Sequence, residues 1–183
     1  AQLSIDPSRP TILMMGGSMG YSNNEKLIRS LSTIGIDFQL LVVCGNNKRQ
    51  YRNMERTLAG YDGPCTISPY GFVNNVEVMM SAADCIITKP GGLTVSEALA
   101  KNLPMILVNP IPGHEERNVE FLMNNGIAML ATKTFTVDEA VYHLFKNPER
   151  LRCMRETMHA VAHPDATSRL SSFIMEMPEA IRS

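Results

Sequence analysis

Six short apolar runs punctuate this chain, each separated from the next by a stretch with helical spacing. The runs are Thr11–Met15, Asp37–Cys44, Pro64–Ser68, Cys85–Thr88, Met105–Asn109 and Ile127–Leu130. Short apolar runs of this kind, bounded by Gly, Pro or Asn, read as strands buried on both faces, because a parallel strand covered by helices has no polar side. The helical segments are Ser22–Ile34, Asn47–Ala59, Asn75–Ala83, Thr94–Lys101 and Glu115–Asn125, then Val137–Phe145, Pro148–Val161 and Ala166–Met177. Strand and helix in alternation predict an α/β chain, a Rossmann-like parallel sheet of about six strands with helices on both faces. Residues 1–9, broken by Asp6-Pro7-Ser8-Arg9-Pro10, read as a linker, and 10–183 as one domain.

Charge and cysteine usage remove several classes of function. The net charge is -1, which leaves no basic footprint for nucleic acid and no basic run to hold an anionic bilayer. No apolar stretch approaches the ~18 residues of a membrane span. The four cysteines form no CxxC pair. Cys44, Cys65 and Cys85 fall within or at the end of apolar runs, which predicts buried, reduced thiols and a cytoplasmic setting.

In an open parallel sheet, ligands bind at the carboxyl ends of the strands, where the strand order reverses. The loops that leave those ends therefore carry the chemistry. The first is Gly16-Gly17-Ser18-Met19-Gly20, directly after the first strand. Its glycines let backbone N–H groups approach a phosphate, and the following helix N-terminus adds positive potential. The same loop also serves as a tight turn with no ligand. An NAD site needs an acid at the tip of the second strand, and Cys44-Gly45-Asn46-Asn47 has none; an ATP loop needs Gly-Lys-Ser/Thr, which is absent.

The richest stretch is Lys89–Asn118, KPGGLTVSEALAKNLPMILVNPIPGHEERN. Lys89-Pro90-Gly91-Gly92-Leu93-Thr94 offers a second helix N-terminus to an anion. Two such loops on either side of the switch point suit a diphosphate. Thr94-x-x-Glu97 is also a capping box, which starts a helix whatever the protein binds. Lys89 either adds charge to a phosphate or pairs with a surface acid. After the fifth strand, the prolines of Pro110-Ile111-Pro112-Gly113 stiffen the exit from the sheet. His114 and Asn118 then stand i, i+4, and the mix of donors and acceptors in His114-Glu115-Glu116-Arg117-Asn118 suits a hydroxyl-rich ligand. Glu115 and Glu116 also complement a helix dipole with no ligand at all.

Other chemistries lack their residues. His159 and His163 have i, i+4 spacing without the HExxH glutamate, and no D-x-D pair offers a metal–diphosphate clamp.

GGSMG, followed by GFVNNVEVMMSAADCIITKPGGLTVSEALAKNLPMILVNPIPGHEERN, resembles the C-terminal, donor-binding domain of the family 28 lipid glycosyltransferases. The likeness runs over about residues 8 to 180 and is strongest to the diacylglycerol glucosyl- and galactosyltransferase branch. It implies the C-terminal half of a GT-B fold, in which two Rossmann-like domains face each other across a cleft. The N-terminal domain, absent from this sequence, would hold the lipid acceptor, the membrane contact and the catalytic base. This half is then a piece of a longer chain or a donor subunit that works with a partner.

The resemblance also implies roles. Gly16, Gly17, Ser18 and Gly20 would form the first diphosphate loop, and Gly92, Leu93 and Thr94 the second. Phe72 and Val73 would lie at uracil, Glu97 at the ribose hydroxyls, and His114, Glu115 and Asn118 at the sugar. The position of His114 is usually glutamine in this family, so the sugar contact here would use an imidazole, which still donates and accepts. The implied activity is transfer of a hexose from UDP-glucose or UDP-galactose to a membrane lipid, diacylglycerol being the expected acceptor. The implied reaction is inverting, needs no metal and no cofactor, and takes place on the cytoplasmic membrane face. A UDP-sugar epimerase of GT-B architecture and a non-catalytic UDP-sugar-binding module remain as alternatives.

Overall fold

A computed structural model of the protein describes residues 3–16 and 24–177. Its strands are β1 (Thr11–Met15), β2 (Gln39–Val43), β3 (Thr66–Tyr70), β4 (Cys85–Thr88), β5 (Met105–Leu107) and β6 (Ala128–Leu130). Its helices are α1 (Asn24–Ser32), α2 (Lys48–Leu58), α3 (Val76–Ala82), α4 (Gly92–Ala100), α5 (Glu116–Asn124), α6 (Val137–Phe145), α7 (Pro148–Val161) and α8 (Ala166–Glu176). The strands make one parallel six-stranded sheet in the order β3-β2-β1-β4-β5-β6. The chain winds outward from β1 to β3, then crosses back to β4 on the other side of β1. The switch point therefore lies between β1 and β4, where Met15 stands opposite Thr88.

Alternate residues of each strand feed two separate cores. Ile12, Met14, Leu40, Val42, Ile87 and Ile106 face one side and meet Leu27, Ile28 and Leu31 of α1, Met54 of α2 and Val141 and Leu144 of α6. Leu13, Leu41, Ile86, Met105 and Leu107 face the other and meet Met79 and Met80 of α3, Val95 and Ala98 of α4 and Leu122 of α5. Helix α7 gives Met154 to the first core and Met158 to the second, so it spans the base of the sheet. Helix α8 buries none of its residues and leaves Leu170, Phe173 and Ile174 exposed.

Most elements begin or end within two residues of the sequence expectation, and two of the differences have a clear physical reason. β3 runs to Tyr70 rather than ending at Ser68, carrying Pro69 opposite Val42. Proline is tolerated there because β3 is an edge strand, where a lost N–H donor costs the ladder nothing on its open side. Helix α4 begins at Gly92, two residues before Thr94. The capping box expected at Ser22 lies outside the described residues.

Residues 3–9 form no helix or strand, yet they are tied to the domain. The Asp6 N–H donates to Gln39 Oε1 (2.7 Å), and Gln39 Nε2 donates back to the Asp6 carbonyl (2.8 Å). The Arg9 guanidinium pairs with Asp37 and donates to Thr66 Oγ1 at 2.8 Å. Ser8 turns onto Asp6 Oδ1 through both its hydroxyl and its N–H, and those donors hold the Asp6 carboxyl below its usual range.

Cys44, Cys65 and Cys85 are buried, whereas Cys153 on α7 is exposed. Burial pushes the thiols of Cys44, Cys65 and Cys85 up, because the thiolate loses its hydration. A thiol reagent at neutral pH should therefore titrate one fast thiol in the native protein and all four after denaturation. Two or more fast thiols would contradict this packing.

Candidate functional site

The carboxyl ends of β1 and β4 are neighbours, about 4.8 Å apart in the hydrogen-bonding direction. Gly16 follows Met15 and is buried; Lys89 follows Thr88 on the adjacent strand. The first residue of each loop, Gly16 and Lys89, therefore stands at the switch point. Gly17, Ser18 and Gly20, named with Gly16 as the first diphosphate loop, lie outside the described residues.

The β4–α4 loop is described in full. Gly91 is the N-cap of α4, with φ -70° and ψ 140°, and provides no side-chain cap. The first helical hydrogen bond across the cap runs from the Val95 N–H to the Gly91 carbonyl at 2.9 Å. The N–H groups of Gly92, Leu93 and Thr94 precede it, and among the described residues nothing accepts from them. Three free donors at a helix N-terminus, with the positive end of the helix dipole behind them, form an anion cradle. Lys89, half-buried beside this cradle, makes no ion pair among the described residues.

The placement of α4 removes the competing explanation of Glu97. In a capping box Thr94 would precede the helix; here it is the third helical residue, and Glu97 lies one turn further in. Glu97 is exposed, and its carboxylate has no hydrogen bond or ion pair among the described residues. Leu93, Thr94 and Glu97 share one face of α4 by i, i+3 and i, i+4 spacing. That stripe passes from the cradle to a free carboxylate.

Phe72 and Val73 leave the carboxyl end of β3, on the same edge of the sheet. Val73 packs against the second core, while the Phe72 ring is 71% exposed. One residue anchors the loop, and the other presents an aromatic face.

The β5–α5 loop turns through two left-handed residues, Asn109 (φ 44°) and Gly113 (φ 78°). Asn tolerates that region better than most side chains, and Gly enters it without strain. His114 is exposed and precedes Glu115, the N-cap of α5. The helical i, i+4 relation expected between His114 and Asn118 is therefore corrected: the helix starts at Glu116, after His114.

Glu115 and Asn118 are engaged within the protein. Glu115 Oε2 accepts the Ile111 N–H at 2.7 Å, and its Oε1 stands 3.6 Å from the position a Cβ on Gly91 would take. Asn118 Nδ2 donates to the Pro90 carbonyl at 2.8 Å. Sequence reasoning missed the Asn118–Pro90 tie because it joins positions 28 apart, beyond the reach of local spacing.

The sequence from 11 to 170 matches the model of the glycosyltransferase family 28 C-terminal domain. It is similar to a processive diacylglycerol beta-glucosyltransferase of Bacillus pumilus, 28% identical over 97% of this chain and 46% of that protein. A probable chloroplastic monogalactosyldiacylglycerol synthase 3 of Oryza sativa is 33% identical over 90% of this chain and 33% of its own length. Among solved structures, MurG of Acinetobacter baumannii superposes with a TM-score of 0.75 at 26% identity, covering 96% of this chain and 51% of that one. The calicheamicin glycosyltransferase CalG4 has the same fold at 14% identity, with a TM-score of 0.63. The chain spans less than half the length of these two curated relatives.

Proposed function

The chain belongs to the glycosyltransferase family 28 C-terminal domain family, and on that premise we propose that it holds the UDP-hexose donor of an inverting transferase that glycosylates a membrane lipid. The observation that carries the reading is the uncapped N-terminus of α4 at the switch point, with Glu97 free one turn above it. In this reading the N–H groups of Gly92, Leu93 and Thr94 bind the diphosphate, together with the loop that begins at Gly16. Glu97 accepts from the ribose hydroxyls, Phe72 stacks on uracil beside the Val73 backbone, and His114 meets the hexose. As the glycosidic bond to the donor breaks, negative charge grows on the leaving diphosphate. Helix dipole and backbone donors fixed beforehand stabilise it without a metal.

Named relatives support the acceptor class, since they are a diacylglycerol glucosyltransferase and a monogalactosyldiacylglycerol synthase. No described helix is long and apolar enough to cross a membrane. Acceptor lipid, membrane contact and catalytic base are assigned in this proposal to sequence corresponding to the rest of those relatives, at the cytoplasmic membrane face. The choice between UDP-glucose and UDP-galactose falls to His114 and its neighbours.

Calorimetric titration of the chain with UDP, UDP-glucose, UDP-galactose and UDP-N-acetylglucosamine tests the proposal, with NAD and ATP as comparators. UDP and at least one UDP-hexose should bind below the millimolar range. Excess EDTA should leave that affinity unchanged, because backbone donors and the helix dipole neutralise the diphosphate. Binding of NAD or ATP with none of the UDP compounds would refute the reading, and loss of binding in EDTA would refute its metal-independent part.

A further inference from the structure

Gly91 offers no side chain to cap α4, so the junction that leads into its free N–H groups is supported from outside the helix. Part of that support comes from α5. Pro90 is buried and has no N–H, and its carbonyl is satisfied across the site by Asn118 Nδ2 at 2.8 Å. In a trans peptide the carbonyl and the following N–H point in opposite directions, so holding the Pro90 carbonyl also sets the plane that leads into Gly91 and the first turn of α4. Glu115 supports the same junction from the β5–α5 loop. Its Oε2 holds the Ile111 N–H at 2.7 Å, while its Oε1 lies against Gly91.

We propose that Glu115 and Asn118 are positioning residues, a brace between the β5–α5 and β4–α4 loops that aims the α4 N-terminus at the donor diphosphate. This rests on the UDP-sugar reading above. It gives the two residues a different task from sugar contact: they act through the peptides of Pro90 and Gly91 on the diphosphate, which every UDP compound carries. The donor in the Asn118 bond must be its amide nitrogen, because a carbonyl oxygen only accepts. Asn118→Asp keeps the shape and sets an acceptor against that carbonyl. Glu115→Gln keeps an oxygen for the Ile111 N–H, whereas Glu115→Ala removes it.

The test is titration of the wild-type chain and these three variants with UDP and with UDP-glucose. Asn118→Asp and Glu115→Ala should each weaken UDP about tenfold, the scale of one lost hydrogen bond to a buried group, and weaken UDP-glucose by the same factor. Glu115→Gln should bind nearly as the wild type does. Loss confined to UDP-glucose, with UDP unchanged, would overturn the brace in favour of direct sugar contact. An apo measurement keeps the two readings separable. In amide NMR spectra without nucleotide, Asn118→Asp should shift the resonances of Gly91, Gly92 and Leu93 while leaving those of β2 in place. If those α4 resonances do not move, the brace is wrong, whatever the wild type binds. If they move and the wild type binds no UDP, the brace stands and the UDP-sugar reading falls.

Discussion

Glu97→Ala should weaken UDP binding about 10- to 100-fold and leave the stability of the domain within about 0.5 kcal/mol of wild type. Both halves of that expectation follow from the placement of the residue. The carboxylate is exposed and has no protein partner among the described residues, so its removal breaks no internal bond. It lies beyond the first turn of α4, where the field of the helix terminus has largely decayed, so its loss hardly alters the cradle. On the proposed reading, the substitution removes a charged acceptor for two adjacent ribose hydroxyls, and hydrogen bonds to charged groups contribute about 1.5–3 kcal/mol each. Glu97→Gln retains a neutral acceptor and should fall between the two. Uracil analogues without ribose should bind Glu97→Ala and wild type alike. Equal losses for UDP and for those analogues would show that Glu97 acts on the fold of the site and not on ribose.

Ile87→Ala should destabilise the domain far more than any of the site substitutions, by about 2–5 kcal/mol. Ile87 is fully buried in the middle of β4, between Met14 of β1 and Ile106 of β5, in the first core. Neighbouring strands on both sides hold the backbone in register, so the surrounding core cannot collapse into the space left by the missing methyl groups. For a domain of this size each kcal/mol lowers the melting midpoint by about 2–4 °C, which puts the expected fall at about 10 °C. Ile87→Val removes a single methylene and should cost about 1 kcal/mol. Chemical denaturation with unchanged m-values checks both figures. A loss below about 1 kcal/mol for the alanine variant would mean that the centre of the sheet is not close-packed.

The sheet was legible because its inner strands are covered on both faces, whereas the edge strand β3, TISPY, is only partly buried and gave the weakest signal. ILMM before Gly16, LLVV before Cys44 and CIIT before Lys89 leave no room for a polar side, and such runs cannot sit at a surface. α6 and α7 keep the bounds expected from sequence, since α7 opens on Asn147, which caps the Arg150 N–H, and carries proline in its first turn. α4 was placed two residues late, because Gly91 and Gly92 suppress helix propensity and Thr94-x-x-Glu97 imitates a capping box. At the site, the loops after β1, β4 and β5 were found from glycine, proline and the switch-point rule, whereas the loop after β3 came only from the family resemblance. The Asn118–Pro90 bond was not legible, because a side chain reaching another loop leaves no periodic trace. Local reading left Glu115 open between a ligand and the helix dipole, and the family resemblance implied the sugar contact of both residues.

The proposed donor binding rests most on one place, the first turn of α4. Its direct test is amide chemical-shift mapping of the chain titrated with UDP. Saturable shifts should be largest at Gly92, Leu93 and Thr94, with Gly16, Val73 and the side of α4 bearing Glu97 following in step. Thr11 and Asp84, at the opposite ends of β1 and β4, should not move. Shifts concentrated at that opposite edge, or no response at Gly92–Thr94 at saturating UDP, would contradict a diphosphate seated on the α4 N-terminus.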